Sequence, residues 1–218
     1  MKKLVLITLL FVNGITIAQN EKLKEEKVNI DKGTWSFGGQ LSFNLSNSES
    51  ESNGITQESD NFGISINPEV GYAIQKNLII GLGLGYSYFE NDNNNNNNDF
   101  VISRNAFSIF PYVKKFIPVN KNLLFSVRGE VQFTKTNFDN SNNFSNSNSD
   151  QTFFIGFRPG ITYFISNKLA LEANIGALGY SRFTRDFDPA NLDKATTDSF
   201  NFDFNSNNLL FGFTYYMN

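Results

Sequence analysis

Isolated charged side chains interrupt stretches in which apolar residues recur at every second position. This parity places six of them on the polar face: Glu69, Lys114, Arg128, Glu130, Arg158 and Glu172. Charges that are removed from bulk water need partners, so we predict a network in which Arg128 and Arg158 pair with Glu130 and Glu172. Such a network either fills an interior as a structural plug or lines a narrow conduit that selects ions.

The residue types that usually perform catalysis are missing. The chain of 218 residues contains no His and no Cys, which excludes Ser-His-Asp triads, Cys nucleophiles, disulfides, and zinc sites built on His or Cys. A carboxylate pair or a Lys would have to serve as the general base, and the polar loops show no such cluster. We therefore predict that the protein is not an enzyme and carries no cofactor.

Acidic residues in the polar connections offer a weak candidate for calcium. Asp186 and Asp188 are the best-spaced pair, because carboxylates and backbone carbonyls suit this cation. The Asp-rich loop of an EF-hand, with its closing Glu, is absent. A net charge of −3 and a pI near 5.1 argue against nucleic acid as a partner, since phosphates attract clustered Lys and Arg.

The elements that position these residues are strands with a period of two. In the stretch NLIIGLGLGYSYFE, residues 77–90, large apolar side chains alternate with Gly and Ser, as expected when successive side chains point to opposite faces. Counting such stretches predicts eight strands, at roughly 34–46, 61–75, 77–90, 100–118, 122–137, 151–165, 168–184 and 199–217.

A hairpin repeat organises the strands. Pro68, Pro111 and Pro159 each open a strand that is followed by a tight turn of Asn and Lys and a second strand. Proline cannot donate to the ladder, so we predict a bulge or a widened register at each. The parity of Tyr180 departs from the apolar face of its strand, which predicts a bulge or an inward ring, and another bulge or kink is predicted between Asn205 and Asn208.

Short turns alternate with long polar connections, so all turns fall on one side and all loops on the other. We predict an all-β fold: an eight-stranded antiparallel up-and-down transmembrane β-barrel with short periplasmic turns and long extracellular loops. Its aromatic girdles would contain Trp35, Tyr72, Tyr86, Tyr88, Tyr163 and Tyr215.

A soluble secreted barrel or sandwich is the competing architecture, since periodicity alone does not distinguish the two. Two features favour the membrane. Gly81, Gly83 and Gly85 lie together on the polar face, where small residues inside a narrow barrel would leave room for long charged side chains. In addition, the apolar face carries large residues on almost every strand, with little of the alternation of small and large residues that a small barrel interior needs.

The N-terminus predicts export. Positive Lys2 and Lys3 precede an apolar run and small residues that end at Ala18, the pattern of a cleavable signal peptide. We therefore divide the chain into a signal peptide (1–18), a short mobile periplasmic lead (19–33) and the barrel (34–218).

These features resemble a known family. The signal peptide, the P-x-[VI]-x-[YK] strand with its Asn-Lys turn and the closing NNLLFGFTYYMN are similar to small outer-membrane β-barrel domain proteins of Gram-negative bacteria, often called porin-family-like. The resemblance covers about residues 34–218 and implies an outer-membrane location without a catalytic motif. The closing strand resembles the signal read by the barrel assembly machinery, which often ends on Phe, whereas this chain ends Tyr216-Met217-Asn218.

We expect a non-enzymatic integral outer-membrane protein with a role in envelope structure and in the presentation of its Asn-rich surface loops. Its expected partners are outer-membrane lipids, the barrel assembly machinery and an extracellular ligand at the loops. One alternative is a narrow porin-like channel for small solutes or ions. A second is a soluble secreted ligand-binding barrel.

Replacing Leu82 by Arg tests the assignment of the two faces. Leu82 is predicted to face lipid near mid-membrane, so Leu82→Arg should lower the free energy of unfolding in a bilayer by about 2–4 kcal/mol. The measurement is equilibrium unfolding in lipid vesicles. An unchanged stability would mean that the two faces are reversed.

Overall fold

Antiparallel strands make up nearly all of the structure, a computed structural model that describes residues 27–52, 55–95, 100–140, 149–188, 193–203 and 209–217. The predicted signal peptide and the predicted kink between Asn205 and Asn208 lie outside these residues. In the part of the chain that is described, no helix is long and apolar enough to span a membrane. The strands are β1 (Trp35–Ser52), β2 (Ile55–Gln75), β3 (Leu78–Asn95), β4 (Phe100–Pro118), β5 (Leu123–Asn140), β6 (Ser149–Phe164), β7 (Leu169–Ile175), β8 (Ala177–Asp188), β9 (Asp193–Asp203) and β10 (Leu209–Met217).

The strands close into a barrel. Neighbours in sequence pair antiparallel from β1 to β6. Strands β7 and β8 are two parts of one long strand beside β6, while β9 pairs with β8 and β10 with β7. Strand β10 then returns to β1, with Trp35 opposite Met217. This is the predicted eight-stranded antiparallel barrel, in which two of the eight strands are each divided in two.

Several strands extend beyond their predicted limits. The connection predicted for Asn47–Asn61 is largely a hairpin, because the ladder of β1 and β2 continues to the pair Ser52 and Ile55. Polar residues fill this part of both strands, so it lacks the apolar alternation that reveals a strand in a sequence. The predicted end of the first strand at 46 and start of the second at 61 were therefore wrong, since the two strands continue to Ser52 and Ile55.

The two ends of the barrel differ, as predicted. Tight connections at Lys76 and Asn77, at 119–122 and at 165–168 share one end, here called the turn end. The extended hairpins share the opposite end, here called the loop end. Asn77 adopts a φ of 60°, a left-handed conformation that Asn tolerates better than most residues because its short side chain bonds locally.

A bulge interrupts the long strand formed by β7 and β8. Strand β6 pairs with β8 as far as Phe157 and with β7 from Gly160 onward, so the three residues 175–177 lie opposite 158–159. Gly176 occupies the bulge with a φ of 66°. The extra residue reverses the parity of the strand and turns Tyr180 to the outer face. This confirms the bulges that were predicted from Pro159 and from the parity of Tyr180.

The other two prolines do not shift the register. Pairing of β2 with β3 is interrupted at residues 67–68, and pairing of β4 with β5 at residues 110–111. The register is the same on both sides of each gap. Pro68 and Pro111 lack an N–H, so each loses hydrogen bonds on one side only. Of the two predicted outcomes, a bulge or a widened register, neither proline shows a bulge, and the pairing is interrupted locally instead.

The outer face is apolar and the inner face is mixed. Outward residues such as Leu84 and Phe211 are 55% and 60% exposed. Inside, a Cβ atom on Gly81 would overlap the Tyr112 ring, and one on Gly83 would overlap the Phe110 ring. The glycines of β3 therefore make room for aromatic rings, where the sequence predicted room for charged side chains.

Replacing an inward glycine and an outward glycine by Ala tests whether the interior is more tightly packed than the outer face. Gly83→Ala should lower the free energy of unfolding by about 1–3 kcal/mol, because the buried ring of Phe110 must move. Gly129→Ala is the matched control, since its added methyl group would lie 3.4 Å from the Phe157 ring on the outer face. Urea titration of both variants gives the comparison, and equal stabilities would contradict the packing described here.

Candidate functional site

The turn end of the barrel interior is filled mainly with apolar side chains, next to the buried hydroxyl groups of Thr162 and Thr214. Phe116, Ile79 and Leu124 are fully buried there. The Phe164 ring joins them and lies 5.1 Å from the ring of Tyr216. An apolar constriction of this kind excludes water and ions.

The segment before β1 covers the same end. Residues 27–33 cross the barrel mouth, and Ile30 is buried in the apolar cluster. Ile30 N donates to Asn77 Oδ1 at 2.8 Å, and Asn77 N donates to Ile30 O at 2.8 Å. Val28 N donates to Asn120 O at 3.1 Å. The lead predicted to be mobile is therefore held against the barrel from residue 27 onward.

An ion pair lies directly above the apolar cluster. Lys114 Nζ is 2.5 Å from Glu172 Oε2, and the two side chains are only 3% and 4% exposed. Tyr216 Oη donates a hydrogen bond to the other carboxylate oxygen at 3.0 Å. The charge of each partner is thus compensated by the other, as a buried charge requires.

A second group of charges lies nearer the middle of the barrel. Arg128 Nη1 is 2.6 Å from Glu69 Oε2, and Arg128 Nε is 2.8 Å from Glu130 Oε2. Arg158 Nε is 2.6 Å from the other oxygen of Glu130. These four side chains form a continuous row of alternating charge, here called the central network.

Aromatic rings of β4 pack against the central network. The guanidinium carbon of Arg128 lies 4.0 Å from the centroid of Tyr112 and 5.1 Å from that of Phe110. A cation over an aromatic face is attracted to the ring, more strongly where water is excluded. Gly81 and Gly83 provide the space in which these two rings lie.

The six predicted charges all point into the barrel, but one predicted pairing differs. Glu172 pairs with Lys114 and not with an arginine. The inward rings of Phe110 and Tyr112 were not predicted, whereas Tyr216 lies on the polar face that the alternation of the closing strand indicates. Residues 110, 112, 114 and 116 are alternate residues of one strand, so their side chains point to the same face. The prediction that Lys114 points inward therefore also implied that Phe110 and Tyr112 point inward.

Beyond the central network, the interior becomes polar and more open. The inward residues at this level are half-buried Ser, Thr, Asn and Gln side chains, among them Ser65, Asn67, Ser87, Ser108, Gln132 and Thr134. A cavity of about 90 Å³ lies at the boundary, lined by Gln40, Asn67, Phe110, Arg128, Glu130, Gln132 and Arg158. We call the polar part above it the vestibule. Arg158, at its floor, is 21% exposed, so the interior is accessible from the loop end and blocked toward the turn end.

The predicted girdle residues lie on the outer face. Trp35 and Tyr72 stand side by side at the turn end, with ring centroids 5.1 Å apart. Tyr163 and Tyr215 are exposed at the same end. Toward the loop end, Tyr86 and Tyr88 share the outer face of β3, where Tyr86 Oη donates to Asn105 at 2.8 Å and Tyr88 Oη donates to Glu90. The calcium candidates Asp186 and Asp188 lie in β8 opposite Lys194 and Asp193, and the structure describes only their backbone.

Comparison with known proteins identifies relatives of the fold. Residues 29–216 match the family model described as the outer membrane protein beta-barrel domain. Among solved structures, the crystal structure of the outer membrane protein OprG from Pseudomonas aeruginosa matches with a TM-score of 0.50 and 11% identity, over 86% of this chain and 97% of that chain. At this identity the likeness shows the fold alone. Comparison with curated protein sequences gives no match.

Removing one partner of the buried pair should be costly. Glu172→Gln leaves the Lys114 ammonium buried without a counter-charge, so the free energy of unfolding should fall by about 3–5 kcal/mol. Asp198→Asn is the matched control, because it removes the partner of Arg182 in a pair that is exposed to solvent, and it should have little effect. Urea unfolding measures both, and similar losses in the two variants would contradict the burial of the Lys114 pair.

Proposed function

The chain belongs to the outer membrane protein β-barrel domain family, and from this premise we propose that it is a non-enzymatic barrel with a closed interior. Its proposed role is to contribute to envelope structure and to present the loop end to the exterior. In barrels of this kind short turns face the periplasm and longer loops face outward. The turn end is thus assigned to the periplasmic side and the loop end to the extracellular side.

The observation that carries this proposal is the filled interior. Phe116 and Leu124 close the turn end, the Lys114 pair lies above them, and the central network follows. Each buried charge in these two layers has an opposite charge within 3 Å. This arrangement supports a structural plug, since an eight-stranded barrel has an interior that side chains alone can fill.

The outer face supports residence in a membrane. It carries exposed Leu, Ile, Val and Phe side chains around the barrel, which are the residues expected against lipid. Together with the family assignment, this argues against the soluble secreted barrel. We propose outer-membrane lipids as the partners of this face, the barrel assembly machinery as the partner of β10 during insertion, and an extracellular ligand as a partner of the loops.

A narrow channel is the second candidate. The polar vestibule favours it, because Arg158 is accessible from the loop end and charged side chains at a constriction can select ions. Conduction through this path would require the apolar cluster at the turn end to move.

Single-channel conductance in a planar bilayer separates the two candidates. We predict that the mature chain, once its insertion is verified by heat-shifted gel mobility, gives no conductance steps, since the turn end is blocked by buried apolar side chains. Reproducible steps that disappear in Arg128→Gln or Arg158→Gln would contradict the closed barrel and establish the channel.

A further inference from the structure

The cavity at the floor of the vestibule is rich in hydrogen-bond donors. Two guanidinium groups and three side-chain amides line it, against a single carboxylate from Glu130. Guanidinium groups donate and cannot accept, and amides can present their N–H₂ groups. The lining residues therefore carry a formal charge of +1, although the central network as a whole is neutral.

The one carboxylate is already engaged. Glu130 Oε1 accepts from Arg158 Nε at 2.6 Å, and Glu130 Oε2 is 2.8 Å from Arg128 Nε. Glu69 engages Arg128 Nη1 and does not line the cavity. Three of the four carboxylate oxygens of Glu69 and Glu130 thus lie 2.6–2.8 Å from other nitrogen atoms of these arginines.

A buried donor remains without an acceptor at this point. Arg128 is 2% exposed, and neither its Nη2 atom nor its Nε atom, which is only ion-paired with Glu130, has a hydrogen-bond partner among the described residues. A buried donor on a charged group costs more free energy when unsatisfied than a neutral one does. The cavity that Arg128 lines has room for several water molecules or one small anion, either of which would supply an acceptor.

We propose that this cavity binds a small oxyanion, a carboxylate or a phosphate, that enters from the loop end. The oxyanion would accept hydrogen bonds from Arg128 Nη2 and from the accessible guanidinium of Arg158, with the amides of Gln40, Asn67 and Gln132 as further donors. Guanidinium groups bind such planar or tetrahedral oxyanions through charge-assisted hydrogen bonds. The site requires no conduction, because the closed turn end leaves it open to one side only.

Thermal unfolding of the refolded mature chain in detergent micelles tests the site. Midpoints are compared in sodium acetate, sodium phosphate and sodium chloride at equal ionic strength. A ligand that binds only the folded state raises the midpoint increasingly as its concentration exceeds its dissociation constant, so acetate or phosphate should stabilise the protein beyond chloride. Because such anions also stabilise proteins without a site, the part of the gain that is lost in Arg158→Gln identifies which of the two oxyanions the site prefers.

Two arginine variants make the test specific. Arg158→Gln should weaken binding by about tenfold, as loss of a charge-assisted hydrogen bond implies. Arg182→Gln, on the outer face and paired with Asp198, should retain the full effect. Because each variant is compared with itself across salts, a general loss of stability does not obscure the result.

A direct binding measurement is independent of unfolding. The line width of ¹³C-labelled acetate, or of inorganic phosphate by ³¹P resonance, is followed as the folded protein is added. Broadening that is lost in Arg158→Gln and kept in Arg182→Gln supports the site. The proposal is overturned if neither anion differs from chloride and neither broadens, or if the effect survives in Arg158→Gln. Either result would leave the conductance prediction unaffected.

Discussion

The narrow interior of an eight-stranded barrel is the constraint on which the rest of the structure depends. Such an interior is just wide enough to be filled by side chains, and every inward residue must therefore fit those across from it. In this chain the filling changes along the axis, from apolar side chains at the turn end, through two layers of paired charge, to a polar vestibule at the loop end.

The same constraint explains why β3 contains its run of glycines. Inward aromatic rings from β4 lie over Gly81 and Gly83, and the guanidinium of Arg128 stacks on the rings. Glycine would weaken a strand that faces solvent. Here the absence of a side chain on one strand makes room for two large ones on its neighbour, and these in turn hold the central network in place.

Much of this arrangement could be predicted from the sequence because strand parity is strict. The alternation along residues 77–90 fixed the inner and outer faces, and the mismatched parity of Tyr180 indicated the bulge that Gly176 occupies. Partners across the interior could not be predicted, since they depend on how far neighbouring strands are staggered. This is why Glu172 was assigned to an arginine and pairs with Lys114. The hairpin beyond Asn47 was missed because no face of it is buried in lipid or protein, so its sequence has no reason to alternate.

The central claim is that water reaches the vestibule but not the turn end of the interior. The most direct test is the accessibility of thiols introduced at each level. The chain has no Cys, so a single substitution provides the only thiol. In the folded barrel, Ser108→Cys should react with a charged, membrane-impermeant thiol reagent. Ala170→Cys, in the fully buried apolar cluster, should react only after unfolding. Rapid labelling of Ala170→Cys in the folded barrel would contradict a closed interior.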